Sequence, residues 1–184
     1  MGEKEVTKKA KSICQHEKDN PLWRQLLLKL SKIFEGALEI IFPEEWNEQY
    51  FSWFHTIEKE DFRLELQYSF QEIAKILENP DLVFWFVTRE GEPQILLLGY
   101  SIPQEPVKSF YLDTLAVLPR GRGIGHTVMD FLIRWARTKQ YQTIILDTEF
   151  SDEKGIPLQQ FYAKHGFKIF SRSKTGNITM KCVL

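Results

Sequence analysis

Three glycines and two arginines crowd into the stretch Arg120-Gly121-Arg122-Gly123-Ile124-Gly125. A glycine leaves its neighbouring backbone N–H groups uncovered, so this spacing can present several amides to an anion. The stretch follows an apolar run, Leu112 to Leu118. It precedes Val128, Phe131, Leu132 and Trp135, which recur at helical spacing. A helix starting at the glycines adds the positive end of its dipole, and the result is a cradle suited to a pyrophosphate. Arg120 and Arg122 can add charge-assisted contacts to phosphate oxygens, and His126 and Thr127 one donor each. A plain tight turn before a helix would have the same composition. The dinucleotide fingerprint sets its second and third glycines three apart, and the nucleoside-triphosphate loop needs a following Lys-Ser/Thr; neither pattern is met.

The segment LAVLPRGRGIG resembles the acyl-CoA loop of the GNAT superfamily of N-acetyltransferases, Arg/Gln-x-x-Gly-x-Gly/Ala, as Arg120-Gly-Arg-Gly123-Ile-Gly125. Downstream, Phe161-Tyr162-Ala-Lys-His-Gly166-Phe167 is similar to that family's Leu/Phe-Tyr-x-x-x-Gly-Phe segment. The two motifs stand in the family order, and the resemblance covers roughly residues 80–184. It implies acetyl-CoA as co-substrate and transfer of the acetyl group to a primary amine of a small molecule or protein, by direct attack in a ternary complex. It further implies that Leu115, Ala116 and Val117 offer backbone groups to the pantetheine and thioester carbonyl, and that the amides from Gly121 to His126 hold the pyrophosphate. An N–H aimed at the thioester oxygen would act as an oxyanion hole. A non-catalytic acyl-CoA-binding module, or an interaction domain on the same fold, is the alternative.

By the same resemblance Tyr162 is the general acid for the departing thiolate, a role a phenol can fill within hydrogen-bond reach. Asp113 is the positional candidate for the base, with Asp147 and Glu149 on the next strand as substitutes, acting directly or through water. Where family members often carry an Asn after that strand, this chain has a longer connection, Glu149 to Pro157, with Gly155 near the expected place. Acceptor choice in the family depends on segments corresponding to Glu58–Tyr68 and Arg172–Asn177. Glu58, Glu60, Asp61 and Glu65 in the first could attract a cationic amine or simply form a solvated face.

These residues need elements to hold them. Asn20-Pro21 caps and starts a helix, and Leu22, Leu26, Leu30, Ile33, Ala37 and Ile41 carry its period up to Phe42-Pro43. A second helix follows with Trp46, Tyr50, Trp53, Phe54 and Ile57 on one side, and Ser69 to Glu72 reads as the capping box of a third. The Trp46–Trp53–Phe54 group reads as core rather than acceptor pocket. Leu82–Thr88 and Gln94–Ile102 read as a hairpin, Phe110–Leu118 as a third strand and TIILDT (Thr143–Thr148) as a strand buried on both faces. A helix near Pro157–Lys164 and strands at Phe167–Ser173 and Ile178–Val183 finish the chain. The expected fold is an α/β three-layer sandwich, a GNAT-like acyl-CoA N-acyltransferase fold with a mixed, mostly antiparallel central sheet. Its first strand is weakly marked, with Ser12–His16 as the candidate. Residues 1–20 are expected to be a charged segment and residues 21–184 one domain.

Composition narrows the class. With 43% hydrophobic and 14% aromatic residues in 184, the chain can bury a core. A net charge of −1 advertises neither nucleic acid nor an anionic membrane as partner. Cys14 and Cys182 read as reduced thiols, and the histidines (16, 55, 126, 165) show no ligand spacing, so no metal is expected. Met1 to Asn20 has no apolar core for a signal peptide, and apolar runs fall short of the ~20 residues a bilayer needs. A cytoplasmic enzyme is expected. Homodimerisation, common in the family, stays open.

Overall fold

Asn20 turns its side chain back onto the Leu22 N–H at 3.0 Å, and Pro21 supplies a helix-ready φ, so α1 (Pro21–Leu30) begins at the expected residue. The structure, a computed structural model, describes residues 20–79, 81–152, 155–173 and 176–184. After α1 come β1 (Leu38–Ile41), α2 (Glu48–Asp61), a 3-10 turn (Leu64–Leu66), α3 (Phe70–Ile76), β2 (Val83–Arg89), β3 (Glu92–Ser101) and β4 (Ser109–Val117). Then follow α4 (Ile124–Thr138), β5 (Thr143–Thr148), α5 (Leu158–Lys164), β6 (Lys168–Arg172) and β7 (Ile178–Val183). Ser69 and Glu72 form the reciprocal capping box that starts α3.

One expectation fails. The helix from Pro21 does not run to Ile41: it ends at Leu30, Gly36 takes a left-handed φ of 96°, and Leu38–Ile41 pairs antiparallel with Phe86–Arg89 of β2. The apolar residues at 33, 37 and 41 mimic a helical stripe, but β-branched Ile40 and Ile41 gain more by completing the sheet edge. Ser12–His16, the expected first strand, lies outside the described residues.

The sheet runs β1-β2-β3-β4-β5-β7-β6, with every neighbouring pair antiparallel except β4–β5. One face packs against α1, α4 and α5. Trp23, Leu26, Val128, Leu132 and Trp135 meet Trp85, Leu97, Phe110, Ile144 and Met180 there. The other face packs against α2 and α3, with Phe54, Ile57 and Ile73 on Phe84, Phe86, Leu96 and Leu98. This is the expected three-layer sandwich around a mixed, mostly antiparallel sheet. Trp46 and Trp53 lie against the second core, as their spacing implied.

Two irregularities shape the site. Leu112 pairs with Gly99 but Thr114 with Leu98, so Asp113 is an extra residue in β4. The bulge switches faces: Phe110 and Leu112 join the first core, whereas Ala116 joins the second. Second, β4 and β5 pair only over Ser109–Tyr111 and Thr143–Ile145. Both strands continue further, so the sheet opens into a fork.

Gly99 sits opposite this bulge, and a Cβ there would meet Phe110 Cζ at 2.4 Å and the Tyr111 carbonyl oxygen at 2.6 Å. Gly99→Ala is therefore expected to cost about 2 kcal/mol or more, because backbone rather than a flexible side-chain tip must yield. Urea denaturation measures it; an unchanged midpoint at unchanged slope would contradict the tight register.

Candidate active site

Past the fork, the β5-facing edge of β4 has no strand partner. A cavity of about 350 Å³ occupies the opening. Its wall takes Glu58 and Phe62 from α2 and its end, Arg63, Leu66 and Tyr68 from the following turn, and Tyr111, Asp113, Thr114 and Leu115 from β4. Asp147, Thr148 and Glu149 from the β5 side, Leu158 and Tyr162 from α5, and Asn177 before β7 complete it with Arg120 and Asp152. Residues from both sides of the sheet meet in one space, because the strands have parted. Both segments expected to select the acceptor contribute to it.

Asp113 and Asp147 stand at matching places on the fork, each two residues beyond the last strand pair, Tyr111–Ile145. Neither has a cationic partner among the described residues; hydroxyls hold both. Tyr68 Oη donates to Asp113 at 3.1 Å, Tyr100 Oη at 3.3 Å and Thr114 Oγ1 at 3.0 Å. Tyr111 Oη donates to Asp147 at 2.9 Å and Thr179 Oγ1 at 2.6 Å. Burial pushes the Asp113 carboxyl up, and its three hydroxyl donors oppose the rise. Burial, then the neighbouring carboxylate, pushes Tyr68 and Tyr111 above the ordinary phenol range, so both stay protonated donors. Arg63 pairs with Glu149, and Arg120 with Asp152.

Glu58 differs. It is 1% exposed, and among the described residues its carboxylate accepts only the Tyr68 backbone N–H, at 3.3 Å. Burial pushes its pKa up to about 8, with the Asp113 and Glu72 charges adding and the Tyr68 N–H opposing. In the sequence it is one acid in a charged run; only tertiary packing separates it from Glu60 and Glu65, which are exposed.

Tyr162 lines the cavity from α5, and its hydroxyl has no protein hydrogen-bond partner among the described residues. Burial pushes its pKa up to about 12. Asp113, Leu115, Arg120 and Tyr162 thus share one cavity, whereas the turn from Gly121 to Thr127 lies outside its wall. Ala116 and Ile124 are core side chains, and Val117 packs against the first core, so these residues have mainly backbone to offer. Gly121 and Gly123 adopt left-handed φ values of 87° and 78°, and Gly123 caps α4. The N–H groups from Gly121 to His126 meet no acceptor among the described residues. Thr127 closes the first turn instead, its N–H and hydroxyl both donating to the Gly123 carbonyl. At Gly125 a Cβ would lie 3.3 Å from the Phe161 ring, which is how closely α4 and α5 approach. His126 Nδ1 lies 2.8 Å from His165 Nε2, and His165 Nδ1 lies 3.1 Å from Asp130.

The connection after β5 is organised by a residue the sequence did not single out. Asp152 accepts from the Ile156 N–H at 2.7 Å through its side chain and takes the Gly155 N–H on its carbonyl, closing a turn. The same side chain holds Arg120, so the glycine turn and the β5–α5 connection are clasped together.

A model of the acetyltransferase (GNAT) family matches residues 40–167. The chain belongs to this family and is an acyltransferase enzyme. Solved structures share its fold at low identity. A chain of the NatC complex, solved bound to Gag peptide and CoA, is 17% identical over 80% of this chain and 99% of that one, with a TM-score of 0.64. The ribosomal-protein-S18-alanine N-acetyltransferase of Escherichia coli is 15% identical over 80% and 94%, at 0.60. Aminoglycoside 6'-acetyltransferase type Ii is 20% identical over 80% and 96%, also at 0.60. No curated protein sequence gives a match.

The buried acid has a consequence for stability. Glu58 moves from 4.5 in the unfolded chain to about 8 in the fold, so the folded state binds the extra proton between those values. Its contribution is full below about pH 4.5 and is lost as pH rises to about 8. Glu58→Gln is expected to flatten the fall in denaturation midpoint across that window, read by urea titrations at several pH values. An identical slope in both proteins would contradict the burial.

Proposed function

We propose that this enzyme transfers the acetyl group of acetyl-CoA to a primary amine by direct attack within a ternary complex. The carrying observation is the fork, which opens a carboxylate-lined cavity holding Arg120 and a Tyr162 hydroxyl that has no protein partner among the described residues, one residue away from the glycine turn. The amides of Gly121–His126, with Arg122 exposed beside them, take the pyrophosphate. Arg120, clasped to Asp152, adds positive charge at the same approach. Leu115, Ala116 and Val117 offer backbone to the pantetheine arm along the edge that β5 leaves open.

The amine enters from the α2 side, drawn as an ammonium by Asp113 and Asp147. After losing a proton, its nitrogen attacks the thioester carbonyl. The C–N bond forms, a backbone N–H of β4 takes the oxyanion, and the C–S bond then breaks. Tyr162 gives its proton to the departing sulfur, and the proton shed by the acylated nitrogen restores the phenol through solvent. One proton is released for each amide formed. Asp113, Asp147 and Glu149 are carboxylates expected near that nitrogen. Two occupants fit the acceptor side, a small cationic amine and the N-terminus or lysine of a protein; the acidic wall suits a cationic acceptor.

Two variants test this reading. Arg122 is exposed beside the turn, so Arg122→Glu places negative charge where the pyrophosphate should sit without disturbing the core. Calorimetry with acetyl-CoA is expected to give saturable micromolar binding that weakens about 100-fold or more, roughly 2.7 kcal/mol, in the variant. Wild-type protein that binds no acetyl-CoA would overturn the reading. Tyr162→Phe is expected to lower kcat by about 100-fold with KM for acetyl-CoA little changed, measured as thiol release. An unaltered kcat would remove Tyr162 as the acid.

A further inference from the structure

Five carboxylates line the cavity, and their partners sort them. Glu149 and Asp152 are engaged by the Arg63 and Arg120 guanidinium groups, so each already has a cationic partner. Asp147 is exposed and takes two hydroxyl donors. Asp113 takes three, on both of its oxygens, so its lone pairs are largely committed. Glu58 is buried and spends its two oxygens on a single backbone N–H. Among these five it alone pairs open acceptor capacity with a desolvated site.

We infer that Glu58 is the catalytic base that takes the proton from the acceptor ammonium, an assignment that rests on the acetyl-transfer reading above. The step balances simply. The N–H bond of the ammonium breaks, its electron pair stays on nitrogen for attack, and the proton forms an O–H bond on Glu58, which later returns it to solvent through the cavity mouth. Asp113 then acts as a positioning residue: its charge attracts the ammonium and holds up the basicity of Glu58, and its oxygens fix the Tyr68 and Tyr100 hydroxyls. Burial places Glu58 near pH 8, between an ordinary carboxylate and an alkylammonium, which suits proton transfer near neutrality. The charged and titratable groups around it are His55 on its own helix, with Nδ1 at 4.0 Å, Tyr68 after the 3-10 turn, Glu72 on α3 and Asp113 on β4. A histidine next to it offers no competing strong hydrogen bond at that distance.

The test compares wild type, Glu58→Gln, Glu58→Asp and Asp113→Asn by thiol release from acetyl-CoA between pH 6 and 10. Spermidine, kanamycin and an alanyl peptide serve as acceptors, and thermal melts confirm folding. Glutamine still accepts the Tyr68 N–H, so Glu58→Gln is expected to fold. Its kcat at pH 7.5 should fall about 100-fold or more. The deficit should shrink as pH approaches 10, where the free amine needs no base, and Glu58→Asp should recover part of the rate. Asp113→Asn should act more on KM than on kcat. A Glu58→Gln kcat within twofold of wild type, or a deficit that stays constant to pH 10, overturns the assignment while leaving acetyl transfer intact. Wild-type enzyme that releases no thiol with any of the three acceptors overturns the acetyl-transfer reading, and the role of Glu58 falls with it.

Discussion

The loss of pairing between β4 and β5 after Tyr111 and Ile145 is the constraint on which the rest of the site depends. A sheet that stayed closed would keep its two faces apart, with α2 and α3 on one side and α4 and α5 on the other. By parting, the strands expose a backbone edge and let Glu58 and Tyr162, from opposite layers, reach one cavity. Unpaired backbone in a protein interior is costly unless something satisfies it. An acyl chain carrying amide groups can replace the missing strand, and the proposed pantetheine would do so. The cores on both faces, anchored by Trp85, Leu97, Phe54 and Leu96, brace the strands on either side of the fork.

The bulge at Asp113 is the second device. Regular alternation would send residue 113 and residue 114 to opposite faces. With one extra residue, Asp113 and Thr114 are both turned to the α2 side, where Tyr68 and Tyr100 meet the carboxylate. Hydroxyls, rather than cations, then hold Asp113 and Asp147. A neutral donor does not cancel a carboxylate's field as a cation would, so this arrangement favours a negative potential in the cavity. The arginines, meanwhile, are spent on Glu149 and Asp152. The division separates carboxylates paired with arginine from those held by hydroxyls.

How much of this could be read in the sequence depended on whether a signal was local. The glycine turn, the α4 period, the α3 capping box and the TIILDT strand are short-range patterns, and they appear where expected. Tyr162 and Asp113 were placed by motif order, and both line the cavity. β1 was misread because three apolar residues at a spacing of four looked helical, and pairing with β2 is not visible along the chain. Glu58 was legible only as one acid of several. Nothing local distinguishes it from Glu60; its depth depends on Phe54 and Ile57 facing the sheet and carrying the next position inward. The bulge was hidden for the same reason, since register belongs to two strands and not to one.

The connection after β5 departs from the family pattern. It is longer than the family pattern and lacks the expected Asn, which on sequence alone leaves a side-chain contact missing. In the fold, Asp152 takes the Gly155 and Ile156 N–H groups and reaches across to Arg120 at the edge of the glycine turn. Most of that Asp152 side chain is shielded, at 6% exposure, so solvent weakens the attraction less than in a surface ion pair. Arg120 is thereby held at the approach to the cavity, which would lower the entropy cost of engaging the proposed pyrophosphate. One side chain serves both places: the Asp152 carboxylate that accepts the Ile156 N–H is the one that pairs with the Arg120 guanidinium.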